Sequence, residues 1–287
     1  MDGIINIYKP AGMTSHDVVN RVRRIAGTKK VGHTGTLDPD AEGVLPICIN
    51  RGTKVADMLT FSDKRYVATF KLGLTTDTLD ISGNILSQNE VNVTAEEIEC
   101  TVKSFTGVIY QVPPMYSAIK INGKKLCDLA RKGIEVERKA RAITIYSIDI
   151  LDISDDEFTI DVSCSKGTYI RTLGHDIGQK LGCGATMTKL IRTQSSVFTV
   201  ENSVKLEELT SENISNYTIS PDSLFDYVKL TVEGEILKKV LNGNAVKLNN
   251  LTDGLLYRVY DGKGTFLCIS RAEDGELKVE KMFYIGD

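Results

Sequence analysis

No apolar stretch among the 287 residues approaches the roughly 20 needed to cross a bilayer as a helix. The N-terminus, Met1-Asp2-Gly3-Ile4-Ile5-Asn6, lacks a basic start followed by a long apolar segment, so no secretion signal is expected. The cysteines, at positions 48, 100, 127, 164, 183 and 268, form no Cys-x-x-Cys pair. His16, His33 and His175 are not spaced as ligands beside them, so no metal site is expected, and scattered thiols fit a reducing cytoplasm. There is no Gly-x-x-x-x-Gly-Lys-Ser/Thr loop, no Gly-x-Gly-x-x-Gly after a strand and no Gly-x-Ser-x-Gly elbow. Nucleotide-phosphate cradles and the serine-hydrolase elbow are therefore excluded. No internal repeat or low-complexity tract is found either.

The composition is ordinary for a soluble globular protein, with 41% apolar and 25% charged residues. The length suits one large domain, or a large one with a small one. Net charge is −3, but it is unevenly spread. From Thr101 to Ile145 nine basic residues face three acids, a net of +6. Arg21, Arg23, Arg24, Lys29 and Lys30 make a second basic cluster, whereas acid gathers later, from Glu201 to Asp226. Local basic patches attract phosphates whatever the global sum.

Between the two basic clusters lies Gly32-His33-Thr34-Gly35-Thr36-Leu37-Asp38-Pro39-Asp40-Ala41-Glu42-Gly43-Val44-Leu45-Pro46. It is too polar and too rich in Gly and Pro for a core element. Pro39 pushes Asp38 towards extended geometry. The apolar run Val44–Ile49 that follows is expected as a buried strand anchoring the loop. A stiff loop that presents one imidazole and three carboxylates suits catalysis, although Asp38-Pro39-Asp40 also satisfies plain turn chemistry.

Elsewhere the local signals are clear. Ile4–Tyr8 is expected as a strand. Thr14, with Asp17 three residues on, caps a helix whose apolar face is Val18, Val19, Val22 and Ile25 and whose stop is Gly27. Residues 65–72 alternate, with Tyr66, Ala68, Phe70 and Leu72 on one face of a strand. Thr94-Ala95-Glu96-Glu97 opens a helix expected to run to about Gly107. Residues 110–118, with Pro113-Pro114, are expected to be extended. The basic segment after them is expected to be a mobile, positive protrusion with a short helix. Residues 143–151 and 157–163 form a predicted hairpin. A helix is expected from Lys166–Arg171 to Gly182, with Ile170, Leu173, Ile177 and Leu181 as its stripe and Arg171 in its first turn, able to face a carboxylate. The acidic stretch 201–226 is expected to link two domains. A small β-rich module follows, with a helix near 236–241 and strands at 255–260, 265–271 and 277–285.

What remains as chemistry is a carboxylate on a rigid loop (Asp38), an arginine at a helix start (Arg171), two tyrosines (Tyr66, Tyr169) and basic surface. This suits metal-free, cofactor-free work on a polyanion. An Asp38 paired with Arg would be held roughly 1–3 pH units below its ordinary value, ionised and fit to be a nucleophile. A non-catalytic RNA-binding module would use the same surfaces, and a glycoside hydrolase pairing Asp38 with Asp40 or Glu42 is a further alternative.

Several motifs in order carry a resemblance. These are Tyr8-Lys9-Pro10-x-Gly12-x-Thr14-Ser15, Gly32–Pro39 with Gly43–Pro46, Lys64-x-Tyr66, Gly73-x-x-Thr76-Asp77-Thr78, Gln111-x-Pro113-Pro114-x-Tyr116-Ser117-Ala118-x-Lys120 and Lys166–Arg171. Over about two-thirds of its length the chain resembles the TruB family of tRNA pseudouridine synthases. The resemblance implies an α+β fold. It has a mixed, largely antiparallel central sheet with flanking helices and loops over residues 1–228, and a basic RNA-clamping insertion at about 110–141. A small PUA-like RNA-binding domain occupies 229–287. It implies isomerisation of the T-loop uridine at tRNA position 55 with the target base flipped out. By the same resemblance Asp38 is the catalytic aspartate, Arg171 its partner and Tyr66 the residue that stacks on the uracil. His33 fills the gap left in the RNA stack, Tyr169 and Leu190 line the pocket, and Lys9, Lys64 and Lys120 contact substrate. Lys189–Thr193 carries Ile191 where a second basic residue is expected. No cofactor and no protein partner are implied, and the protein is expected to be a cytoplasmic monomer of the stand-alone bacterial type, not the guide-RNA-dependent branch, since no lysine-rich tail follows the compact C-terminal part.

Overall fold

The computed structural model describes residues 1–60 and 62–284. In chain order the first elements are β1 (Gly3–Lys9), α1 (Ser15–Ala26), β2 (Val31–His33), β3 (Glu42–Ile49), α2 (Ala56–Thr60), β4 (Lys64–Leu72), β5 (Leu74–Thr76), β6 (Ile85–Gln88), α3 (Ala95–Lys103) and β7 (Gly107–Gln111). The basic segment supplies β8 (Lys120–Ile121), β9 (Lys124–Lys125) and α4 (Leu126–Ala130). Then come β10 (Arg141–Ser154), β11 (Glu157–Cys164), α5 (Ile170–Leu181), β12 (Ala185–Ser195), β13 (Phe198–Thr199) and β14 (Val204–Lys205). The last part holds β15 (Val228–Thr231), α6 (Gly234–Leu241), β16 (Val246–Lys247), β17 (Leu256–Tyr260), β18 (Phe266–Glu273) and β19 (Glu276–Met282).

One large sheet runs β14-β1-β3-β12-β4-β11-β10-β7, with β2 on β3 and β13 on β12. Only β1–β14 and β3–β12 pair parallel within it. The mixed, largely antiparallel sheet expected from the sequence is therefore present. A second sheet, β15-β17-β18-β19-β16, with α6 against it, makes the C-terminal β-rich part.

Local sequence explains the elements around the site. In α1 the Thr14 hydroxyl accepts from Asp17 N, and the Asp17 carboxylate accepts from Thr14 N. The same reciprocal box starts α3 at Thr94 and Glu97. The apolar faces of α1, α3 and α5 pack on one side of the sheet, against Ile5, Ile7, Leu45, Ile47, Phe70 and Ile160. The intervening residues of β1 and β3, Ile4, Val44 and Cys48, face the other way and pack with Ile269 of β18 and with Phe283, just past β19. β3 is buried on both faces, which is why its sequence is a continuous apolar run.

Three expectations are corrected. Residues 201–226 are not a linker. Val204 and Lys205 pair with Ile7 and Tyr8, Leu206, Leu209 and Ile214 enter the main core, and Ile219 exchanges backbone hydrogen bonds with Ile4. Their acidic neighbours face outward in short 3₁₀ turns, so the buried residues show no helical or strand period. Helix α3 ends at Lys103, four residues short of Gly107, whose positive φ of 101° opens β7. The last strand closes at Met282, and the expected end at Ile285 lies outside the described residues. No helix among the described residues is long and apolar enough to cross a membrane.

Candidate active site

The polar loop leaves β2 at His33 and enters β3 at Glu42, so Asp38 hangs between two paired strands. It is strapped from three sides. The Ser15 hydroxyl, at the start of α1, accepts from Leu37 N at 2.8 Å and donates to Leu37 O at 3.1 Å. Lys9 is fully buried and donates to Pro10 O, Pro39 O and Ala41 O at 2.8, 2.8 and 2.6 Å. Arg192 donates from Nε to Val44 O at 2.7 Å and from Nη2 to Gly35 O at 3.1 Å. Gly43 sits where β3 meets β12, with φ of 102°, and a Cβ there would lie 2.3 Å from Arg192 O. Only glycine permits both the backbone angle and the approach.

The Asp38 carboxylate faces Arg171 of α5. Its Oδ2 lies 3.0 Å from Arg171 Nε and its Oδ1 accepts from Nη2 at 3.2 Å. Nη1 donates to Thr78 O at 2.9 Å and lies 3.4 Å from Asp80 Oδ2, and Nη2 also donates to Tyr116 O at 2.8 Å. Three hydrogen bonds and two ion pairs thus converge on the guanidinium, and together they orient its plane. Asp80 is itself held by the Thr78 hydroxyl and by Ser82. Arg171 is almost wholly buried, whereas the Asp38 side chain keeps 38% of its surface exposed.

The electrostatics correct one expectation. Asp38 is pushed above its ordinary carboxylate value, not below it. Burial is the largest cause; Arg171 and Lys9 pull down, and Asp80 and Asp40 push up. Arg171 is shared by two carboxylates, so its attraction no longer outweighs desolvation.

Tyr66 of β4 and Tyr169 at the N-cap of α5 lie near enough to feel the Asp38 charge, and Tyr66 and Leu190, two residues before Arg192 on β12, are buried. Both phenols are raised by burial; Arg192 opposes this at Tyr66, and Ser117 with Arg141 and Arg171 opposes it at Tyr169. The buried Gln111 amide clamps the Tyr169 backbone, accepting from its N–H at 3.0 Å and donating to its C=O at 3.3 Å. His33 Nδ1 accepts from Gly35 N at 3.3 Å, and burial, then Arg192 and His16, lowers its pKa, so the ring is neutral at pH 7.

The three lysines part company. Lys9 spends its ammonium on loop carbonyls and is pushed down to about 8 by burial, so it braces the loop and has no donor for RNA. Lys64 lies beside the loop, donates to Thr60 O and Ser62 O, and is likewise lowered to about 8, by burial and then Arg192. Lys120 is exposed on the β8–β9 hairpin, among Lys124, Lys125 and Lys132. Two residues of the site went unrecognised in the sequence. Asp80 gave only the signal of a polar loop. Arg192 lies two residues beyond Leu190 in an alternating strand, and that spacing places it on the pocket face.

Solved structures define the class first. A chain in "Structure of H/ACA RNP bound to a substrate RNA containing 2'-deoxyuridine" is 25% identical, with a TM-score of 0.72, over 99% of this chain and 86% of that one. One in "Crystal Structure of a Cbf5-Nop10-Gar1 Complex" is 27% identical, with a TM-score of 0.73, over 98% and 85%. The architecture is thus that of the pseudouridine synthases. Sequence narrows it further. The TruB family pseudouridylate synthase N-terminal model matches residues 23–170, the tRNA pseudouridylate synthase B C-terminal domain matches 171–231, and a second TruB C-terminal model matches 229–283. "tRNA pseudouridine synthase B" of Clostridium novyi (strain NT) is 53% identical over 98% of this chain and 99% of that protein. Its namesake from Clostridium kluyveri is 50% identical over 99% and 100%. The chain belongs to the TruB family of pseudouridylate synthases.

Proposed function

We propose that this chain converts one T-loop uridine of tRNA to pseudouridine, with the Asp38 carboxylate as the reacting group. The observation that carries this reading is the Asp38–Arg171 pair, held on both oxygens and partly exposed, with Tyr66 and Tyr169 near its charge. The reaction breaks the N1–C1′ bond, turns the uracil and joins C5 to C1′. N1 gains the proton that C5 loses, so atoms and electrons balance without a co-substrate. Attack on the base, attack at C1′ and removal of a sugar proton all require an ionised carboxylate, which Arg171 supports.

The target base must leave its stack, at a cost of a few kcal/mol. Tyr66 offers a flat apolar face to the extruded uracil, and neutral His33 can fill the space it vacates. The basic segment 120–141 clamps the loop through phosphates. Residues 1–228 form the catalytic unit, and those from 229 onward add a PUA-like RNA-binding surface. The protein works as a single chain in the cytoplasm, without a guide RNA; the relatives about half identical over their full length, named for tRNA, favour this over the guide-dependent branch.

The test uses purified protein and an unmodified tRNA transcript. Wild type is expected to form pseudouridine at one T-loop uridine, and Asp38→Asn to bind the transcript but form none. Activity of Asp38→Asn within about tenfold of wild type would overturn the assignment, and binding without product from either protein would favour a guide-dependent or purely RNA-binding role.

A further inference from the structure

Arg192 is the largest fully buried side chain described. Among the described residues no carboxylate pairs with it. Burying a guanidinium without a counter-ion costs several kcal/mol, and neutral carbonyls offset only part of that. A filler such as Met would occupy the space at less cost, so the charge needs a reason.

The partners supply one. Gly35 O precedes Asp38 by three residues and Val44 O follows it by six, and both accept from this one guanidinium. Arg192 also stands directly across the β12–β4 ladder from Tyr66, on the same face, close enough for its guanidinium to favour the ionised Tyr66 phenol electrostatically. Both flanks of the Asp38 loop and the pocket tyrosine therefore meet at a single planar fork. We propose that Arg192 is a positioning residue that sets the distance between the wall of the base pocket and the reacting carboxylate. It acts through Tyr66 and the loop and touches neither the reacting atoms nor the RNA. The inference rests on reading Tyr66 as the pocket tyrosine.

The site needs the fork geometry. A lysine keeps the charge but cannot reach Gly35 O and Val44 O from one planar fork while facing Tyr66. A displacement of about 1 Å at such a site costs on the order of 100-fold in rate.

The experiment compares wild type, Arg192→Lys, Arg192→Met, Tyr66→Phe and Tyr66→Phe/Arg192→Lys, measuring single-turnover pseudouridine formation, tRNA affinity at fixed salt and thermal melting. Arg192→Lys is expected to fold, to bind tRNA within about threefold of wild type and to react about 100-fold more slowly. The double variant is expected to be no more than about threefold slower than the slower single one, because both changes break one unit. A single-turnover rate of Arg192→Lys within about threefold of wild type overturns the proposal, as does a loss confined to affinity or effects that multiply. If neither Arg192 variant folds, the residue is only a structural support and the proposal fails. A wild-type rate in Tyr66→Phe breaks the link to Tyr66 and sinks the proposal too. Asp38→Asn reports on the function independently of all these variants.

Discussion

Replacing Arg171 with Met removes every donor that holds Asp38 and leaves two carboxylates, Asp38 and Asp80, facing each other with no cation between them. Breaking a fully buried pair costs about 3–5 kcal/mol. The Asp38 side chain is 38% open, so water compensates in part, and about 2–3 kcal/mol is expected. That lowers the melting temperature by roughly 5–10 °C. The pH dependence follows from the raised pKa of Asp38. A carboxylate whose pKa is raised in the fold contributes stability below its ordinary value and loses it as pH rises through the raised one. Without Arg171, which pulls it down, the value rises further. The stability gap to wild type is therefore widest near neutrality and narrows in acid. Because the reaction needs ionised Asp38, the acid limb of the single-turnover rate moves to higher pH. The assay follows tritium released from C5-labelled uridine in a tRNA transcript between pH 5 and 9, with urea melts across the same range. An acid limb that stays where wild type has it, or a gap that widens towards acid, would refute the reasoning.

Three further predictions follow from burial and backbone geometry. Burial pushes Asp176, on α5, up to about 6, so its contribution to stability is full below the ordinary carboxylate range and is lost as pH passes about 6. Asp176→Asn is expected to leave urea stability unchanged at pH 4 and to raise it by about 2 kcal/mol at pH 8. Gly43→Ala combines a positive φ with a 2.3 Å clash against the β12 backbone, and should cost more than about 2 kcal/mol in chemical denaturation. Lys9→Met strands two carbonyls of the Asp38 loop, Pro39 O and Ala41 O, and that of Pro10 without their donor; turnover should fall at least about tenfold while tRNA affinity holds within about threefold, whereas parallel losses would return Lys9 to the RNA surface.

The local readings held where the cause is local. Both capping boxes, at Thr14–Asp17 and Thr94–Glu97, are made by atoms three residues apart. The alternation of 65–72 put Tyr66, Ala68, Phe70 and Leu72 on the buried face of β4, and the hairpin closed at Asp155-Asp156 with Asp155 at positive φ. The stretch 201–226 was misjudged because its apolar residues follow 3₁₀ turns and pair with the first strand, about 200 positions back.

By itself the sequence determined the capped helices, the two-faced strand after the loop, the β-rich end, and a rigid loop presenting Asp38 with a basic segment nearby. Only the tertiary structure decided how the site is charged and braced. It brought Asp80 onto Arg171, spent Lys9 on the loop, seated Arg192 opposite Tyr66 and raised Asp38 where a simple ion pair would have lowered it. The physical reason is one of range. Caps, periods and turns are settled by bonds among neighbours in the chain. The protonation of a buried carboxylate is settled by desolvation and by charges contributed from strands and helices distant in sequence, and those distances exist only once the sheet has formed.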